Sequence, residues 1–166
     1  MTAKNESSGA APPMRWYRDR AAWSFIFLRY TPWIAILNLV WEVAQLPLYT
    51  LWTEGTPDYI AFAVAHCTLG DIAIGVSALA LGLIAMNAGA VRSWRVGPLI
   101  AIVTVIAAAF TIFSEWLNTV ALAGWAYSPL MPTVRFGKFE LGLSPVLQWL
   151  VLPALALRLA LARHRS

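Results

Sequence analysis

Glu42, His66, Asp71 and Glu115 are the residues of this chain best equipped for chemistry, and each lies inside a long apolar segment. An ionisable group at the centre of a bilayer costs about 2.5–3.5 kcal/mol on insertion scales. Such groups therefore face a bundle interior, a cavity or a partner. Three kinds of chemistry suit the set. Buried carboxyl groups act as general acids or bases, Glu, His and Asp ligate metals, and intramembrane carboxylates line proton or cation paths. The Glu-x-x-His and HExxH spacings of di-metal bundles and zinc proteases do not occur in the chain. No metal site and no particular cofactor is expected from the sequence.

Helical spacing gathers further polar residues around these four. Positions i, i+4, i+7 and i+11 share one helix face. That rule aligns Asn38, Glu42, Gln45 and Tyr49 in one segment, and Thr104, Thr111, Glu115 and Asn118 in another. Ser144 and Gln148 share a third face; Cys67, Asp71 and Gly75 share a fourth, with His66 about 100° round the helix from Cys67. Glu42, Glu115, His66 and Asp71 are the candidate catalytic residues. Asn38, Gln45, Tyr49, Asn118, Gln148 and Trp116 are candidate ligand contacts, although Trp41 and Trp116, each next to a carboxylate, can equally turn to lipid. With about 1.5 Å of rise per residue, all these groups can converge on one cavity in half of a bundle. Taken singly, the amides and hydroxyls need be no more than glue between helices, at about 0.6 kcal/mol per hydrogen bond.

The elements that must position them are membrane spans. The chain is 60% hydrophobic and 12% charged, against roughly 45–50% and 25% for soluble domains. Its mean hydropathy is +0.65. The expected architecture is all-α, a four-helix transmembrane bundle with spans at about 32–52, 59–86, 97–118 and 143–162, in a domain covering 31–166. Residues 1–14, rich in Ser, Ala and Pro, read as a disordered tail. Residues 15–30 mix arginines with aromatic rings and read as an amphipathic helix lying in the interface, or else as an extension of the first span. No cleavable secretory leader is expected, because no small-residue cleavage pattern follows the first apolar segment.

Charge sets the topology. Lys4, Arg15, Arg18, Arg20, Arg29, Arg92, Arg95, Arg163 and Arg165 fall on one side, and only Arg135 and Lys138 on the other. This asymmetry places both termini in the cytoplasm. The net charge of +4 is thus a topology signal and not a nucleic-acid surface. The external loop over 119–142 carries Trp125, Tyr127, Met131, Phe136 and Phe139 among prolines and glycines. It suits a lid over the bundle or an interfacial aromatic belt. Cys67 is the one cysteine, which excludes an internal disulfide.

Three segments, 41–49 (WEVAQLPLY), 66–71 (HCTLGD) and 114–118 (SEWLN), resemble a family of uncharacterised bacterial inner-membrane proteins. That resemblance covers most of the chain from Trp33 and implies a multi-pass inner-membrane location but no activity. More distantly, the chain is similar to the emopamil-binding-protein and sigma-2-receptor (EXPERA) superfamily, through Asn38 one turn before Glu42, through Glu115, and through Trp149 followed by Pro153. The likeness implies a membrane-embedded pocket for a sterol or related lipid. The isomerase pattern carries a histidine where Asn38 stands, so the acid–base pair of those enzymes is incomplete here. The expected function is binding, with or without acid–base transformation, of a lipid- or isoprenoid-like molecule at Glu42, His66, Asp71 and Glu115. The alternatives are a non-catalytic subunit docking on a partner membrane protein or on a second copy, and a proton or metal-ion translocator.

Overall fold

The structure is a computed structural model describing residues 15–162. The expected tail at 1–14 lies outside the described residues. Four helices are long and apolar enough to cross a membrane: α1 (Arg20–Leu48), α2 (Pro57–Ala85), α3 (Val96–Ala121) and α4 (Leu143–Ala162). Each packs on its neighbours in the order α1–α2–α3–α4 and back to α1, closing an all-α four-helix bundle.

The distribution of polarity follows from the sequence stripes. Asn38, Gln45, Thr111, Glu115, Ser144 and Gln148 are buried, whereas Val40, Val43, Leu69, Val105, Phe113, Leu150 and Val151 face outward. Carbonyls, amides and carboxylates find partners only inside the bundle, and the outward faces match hydrocarbon.

Two close approaches set the helix spacing. A Cβ on Gly75 would sit 2.8 Å from Ile34 of α1, and one on Gly82 would sit 3.1 Å from Leu99 of α3. The absent side chains let backbones meet. Beside Gly75, the fully buried Tyr30 donates its hydroxyl to the Gly75 carbonyl at 3.3 Å.

Of the two readings of residues 15–30, the structure matches the extension of the first span. Residues 20–30 do not form a separate interfacial helix; they run straight into α1, and Trp16, Ala22, Phe25 and Ile26 join the core. Pro32 is what left both readings open. Lacking an N–H, it cannot continue the hydrogen-bond ladder, so a boundary is the usual expectation. Here the helix instead widens to a π turn over Ile26–Tyr30, and both the backbone N–H and the hydroxyl of Thr31 donate to the Ile26 carbonyl. A π turn accommodates such a break inside a continuing helix.

At the other end of the bundle α3 also closes with a π turn, Leu117–Ala121. The following loop is not merely a lid: it contains a hairpin of β1 (Thr133–Phe136) and β2 (Phe139–Gly142), paired antiparallel with Arg135 opposite Glu140. Gly137, at φ +62°, supplies the left-handed residue of the turn. The loop is fastened to the end of α1. Thr50 N–H donates to the Ala126 carbonyl at 3.0 Å, Ser128 N–H to the Leu48 carbonyl at 2.9 Å, and the Ser128 hydroxyl to the Pro47 carbonyl at 2.8 Å.

Candidate functional site

Between the helices, on the hairpin side of the bundle, lies a cavity of about 980 Å³. That is the upper end of the usual range for small-molecule sites, ~300–1,000 Å³. Four carboxylates, Glu42, Glu54, Asp71 and Glu115, line it, together with Gln45, Tyr49, His66, Asn118 and Gln148. Among the described residues no lysine or arginine lines it.

The helical period brings Glu42 and Asp71 together. Glu42 faces inward from α1 one turn below the end of its regular α-helical part, and Asp71 from the middle of α2. Their carboxyl groups lie near one another where α1 packs on α2, and both approach Gln148.

Amides from α1 and α4 hold the pair. Gln45 Nε2 donates to Glu42 Oε1 at 2.7 Å. Gln45 Oε1 accepts from the Ser144 hydroxyl at 2.9 Å, and Ser144 Oγ accepts from Trp41 Nε1 at 3.2 Å. On the other flank Gln148 Nε2 donates to Asn38 Oδ1 at 2.6 Å and to Asp71 Oδ2 at 2.8 Å. A third acceptor, Glu42 Oε1, is 3.5 Å away. An amide nitrogen has only two hydrogens, so Glu42 is the acceptor left short. Asn38 completes the chain by donating to the Ile34 carbonyl at 2.7 Å.

Glu115 is separate from this pair. It accepts a hydrogen bond at Oε2 from the hydroxyl of Tyr127, and that same hydroxyl accepts from Gly142 N–H at 3.0 Å. Tyr127 thus ties α3 to the residue before α4. Burial, then the neighbouring Glu115 carboxylate, push its phenol above the ordinary tyrosine range, so the hydroxyl stays a donor. Trp125 turns its indole N–H toward the same carboxylate but stops short of hydrogen-bond geometry.

One wall of the cavity is open. Gly70, Ala73 and Ser77 of α2 both line it and are exposed, as are Leu81 and Phe110. A Cβ on Gly70 would meet nothing within 4 Å. The cavity therefore communicates with the flank between α2 and α3, the surface that hydrocarbon would cover.

Not every expected residue belongs to this arrangement. His66 is exposed at the rim, stacked on Phe62 with ring centroids 5.7 Å apart, and has no hydrogen bond to either carboxyl group among the described residues. Trp116 is a correction: 42% exposed, it packs on Phe113 and does not line the cavity. One residue along a helix is a rotation of 100°, which takes it from the Glu115 face to the outside. Asn38 does not line the cavity either; it is fully buried behind Gln148 and positions it. Sequence reasoning missed the Tyr127 hydroxyl as the partner of Glu115 and the Trp41–Ser144 bond. Among the described residues no cluster of three or more His, Cys, Asp or Glu has metal-binding geometry. No family model, curated protein or solved structure matches the chain.

Proposed function

We propose that the cavity binds a membrane-soluble amphiphile of lipid or isoprenoid size, with its head group at Glu42 and Asp71 and its apolar part along Ile74, Leu81, Ile106 and Phe110. The observation that carries this reading is a large cavity lined by four carboxyl groups, Glu42, Glu54, Asp71 and Glu115, with no lysine or arginine among its described walls. A head group that donates hydrogen bonds or carries positive charge complements such a site. An anionic head group does not, because like charges in a low dielectric repel strongly. The open flank supports loading from the bilayer. The inward polar faces support a site within this chain over a subunit whose polar faces dock on a partner. Two neighbouring carboxyl groups, Glu42 and Asp71, are the residues that would serve as acid and base toward a bound molecule.

The same reading places the protein as a multi-pass protein of a bacterial inner membrane, with both termini in the cytoplasm and the hairpin outside, from the distribution of arginine and lysine. The cavity then opens into the outer leaflet. Reporter fusions after Ser166 and within 122–132 should report opposite sides.

Trp125 and Trp149 line the cavity, so intrinsic fluorescence in nanodiscs reports its occupancy. Titration with a long-chain amine, alcohol and fatty acid of equal length should give saturable changes with the first two and not the third. Gly70→Leu, which fills open space, should abolish the response. Equal binding of the fatty acid would overturn the head-group assignment. A response unchanged by Gly70→Leu would overturn the cavity.

A further inference from the structure

The cavity is longer than a simple head group at Glu42 and Asp71 can fill. Along α2 its lining runs from Tyr59, at the hairpin end, to Leu81, with Asp71 between them. The twelve residues from Tyr59 to Asp71 cover about 18 Å at a helical rise of about 1.5 Å. An amine or a hydroxyl at Asp71, with its chain running toward Leu81, leaves that length of cavity empty.

What lines the empty length is neither apolar nor purely acidic. Tyr49 stands between the two carboxylate groupings. Burial, then Glu115, Tyr127, Glu42 and Cys67 around it, push its phenol above the ordinary tyrosine range, so its hydroxyl is a donor. That hydroxyl and the hydroxyl of Thr50 make no hydrogen bond among the described residues. Asn118 Nδ2 donates to the Ser114 carbonyl at 2.9 Å and to the Ser114 hydroxyl oxygen at 3.4 Å. Asn118 Oδ1 is left as an acceptor and the Ser114 O–H as a donor. The free oxygens of Tyr49, Thr50 and Asn118 are accessible, in contrast to the enclosed indole nitrogen of Trp125. The rings of Tyr59 and Trp125 line the same stretch.

A second ammonium would use the acceptors of this stretch and leave the Tyr49 and Ser114 hydrogens unmatched. A sugar uses both kinds, because each ring hydroxyl donates and accepts, and the C–H faces of a pyranose pack on aromatic rings. We propose that the ligand is a neutral glycolipid whose sugar lies between Asp71 and Tyr59, hydrogen-bonded to Tyr49 and Asn118 and packed on Tyr59 and Trp125. This rests on the reading of the cavity as a lipid site and specifies the head group. A phosphate-linked sugar does not fit, for the same electrostatic reason as a fatty acid.

Dodecanol, dodecyl glucoside and dodecyl maltoside share one chain and differ in their sugars. Each is titrated, below its micellar concentration, into the full chain in nanodiscs, with tryptophan fluorescence as the readout. The glucoside should bind about tenfold tighter than dodecanol, the scale of one or two net hydrogen bonds, and the maltoside no more weakly than the glucoside. Tyr49→Phe keeps the ring and its contact with Tyr127, at 5.7 Å between centroids. That variant and Asn118→Ala should each lower glucoside affinity about fivefold, the scale of one net hydrogen bond, and leave dodecanol within about twofold. Thermal unfolding checks that each variant is folded. Saturable binding of dodecanol with a glucoside that binds no tighter would overturn the sugar and leave the lipid site standing. If none of the three binds saturably, both readings fall. Equal losses for dodecanol and the glucoside in Tyr49→Phe would overturn the contact between that hydroxyl and the sugar. Tighter binding of an N-dodecyl diamine than of the glucoside would overturn the sugar in favour of a second cation.

Discussion

Two carboxylate groupings share one cavity and are held in opposite ways. Glu115 is gripped by Tyr127, whose hydroxyl is itself pinned by the Gly142 amide. Glu42 and Asp71 take their donors from side-chain amides, Gln45 for the first and Gln148 for the second, and Gln148 comes no nearer to Glu42 than 3.5 Å. The first arrangement joins a loop to two helices through a hydroxyl that the backbone itself holds in place. The second has spare acceptor capacity facing open space. A carboxylate within a helical bundle is therefore not functional by virtue of its position alone. What its neighbours leave unfilled decides what it can do.

The contrast breaks most visibly if the roles are reversed by substitution. Glu42→Gln keeps shape and removes the charge. It should weaken binding of a long-chain amine by about tenfold to a hundredfold, the scale of 1.4 to 2.7 kcal/mol, while thermal unfolding changes little. Tyr127→Phe should do the reverse. It leaves the Gly142 amide and Glu115 without a partner and should cost about 1–3 kcal/mol of stability, with amine affinity held within threefold. A Tyr127→Phe protein as stable as wild type that has lost its affinity would show the latch to be part of the binding site.

A smaller effect sharpens the same point through pH. The Tyr127 phenol is raised in the folded state, so the folded protein favours its neutral form. The stabilisation is complete below the unfolded tyrosine pKa of about 10 and is lost as pH rises through the higher folded value. Tyrosinate absorbance of wild type minus Tyr127→Phe should consequently titrate above pH 10. Titration of that difference at or below pH 10 would mean that the hydroxyl is not held as described.

How much of this was legible in the sequence depended on range. The convergence of Glu42, Asp71, Gln45 and Gln148 followed from the period of each helix, because a polar stripe on an apolar cylinder has only one place to go. Tyr127 was present as a loop aromatic, but nothing periodic links it to Glu115; their contact exists only because α3 ends in a π turn and the loop doubles back to α1. Trp116 failed for a simpler reason, whereas His66 lines the cavity at its rim. Trp116 is one step of rotation from Glu115, which does line the site, and adjacency in sequence is separation on a helix. The hairpin strands, four residues each, were too short to leave a period of two.

The widened turn at 26–30 has a consequence for how the chain can change length. A helix that already carries one residue more than its ladder needs can lose it and close into a regular turn, with the ends still in place. Elsewhere in α1 a missing residue turns every later side chain by about 100°, carrying Glu42 out of the cavity. Deletion of Leu28, itself 73% exposed, should therefore leave amine binding measurable where deletion of Ile36 abolishes it. Pro32, which breaks the ladder, also makes this stretch the one part of the first span open to insertion and loss.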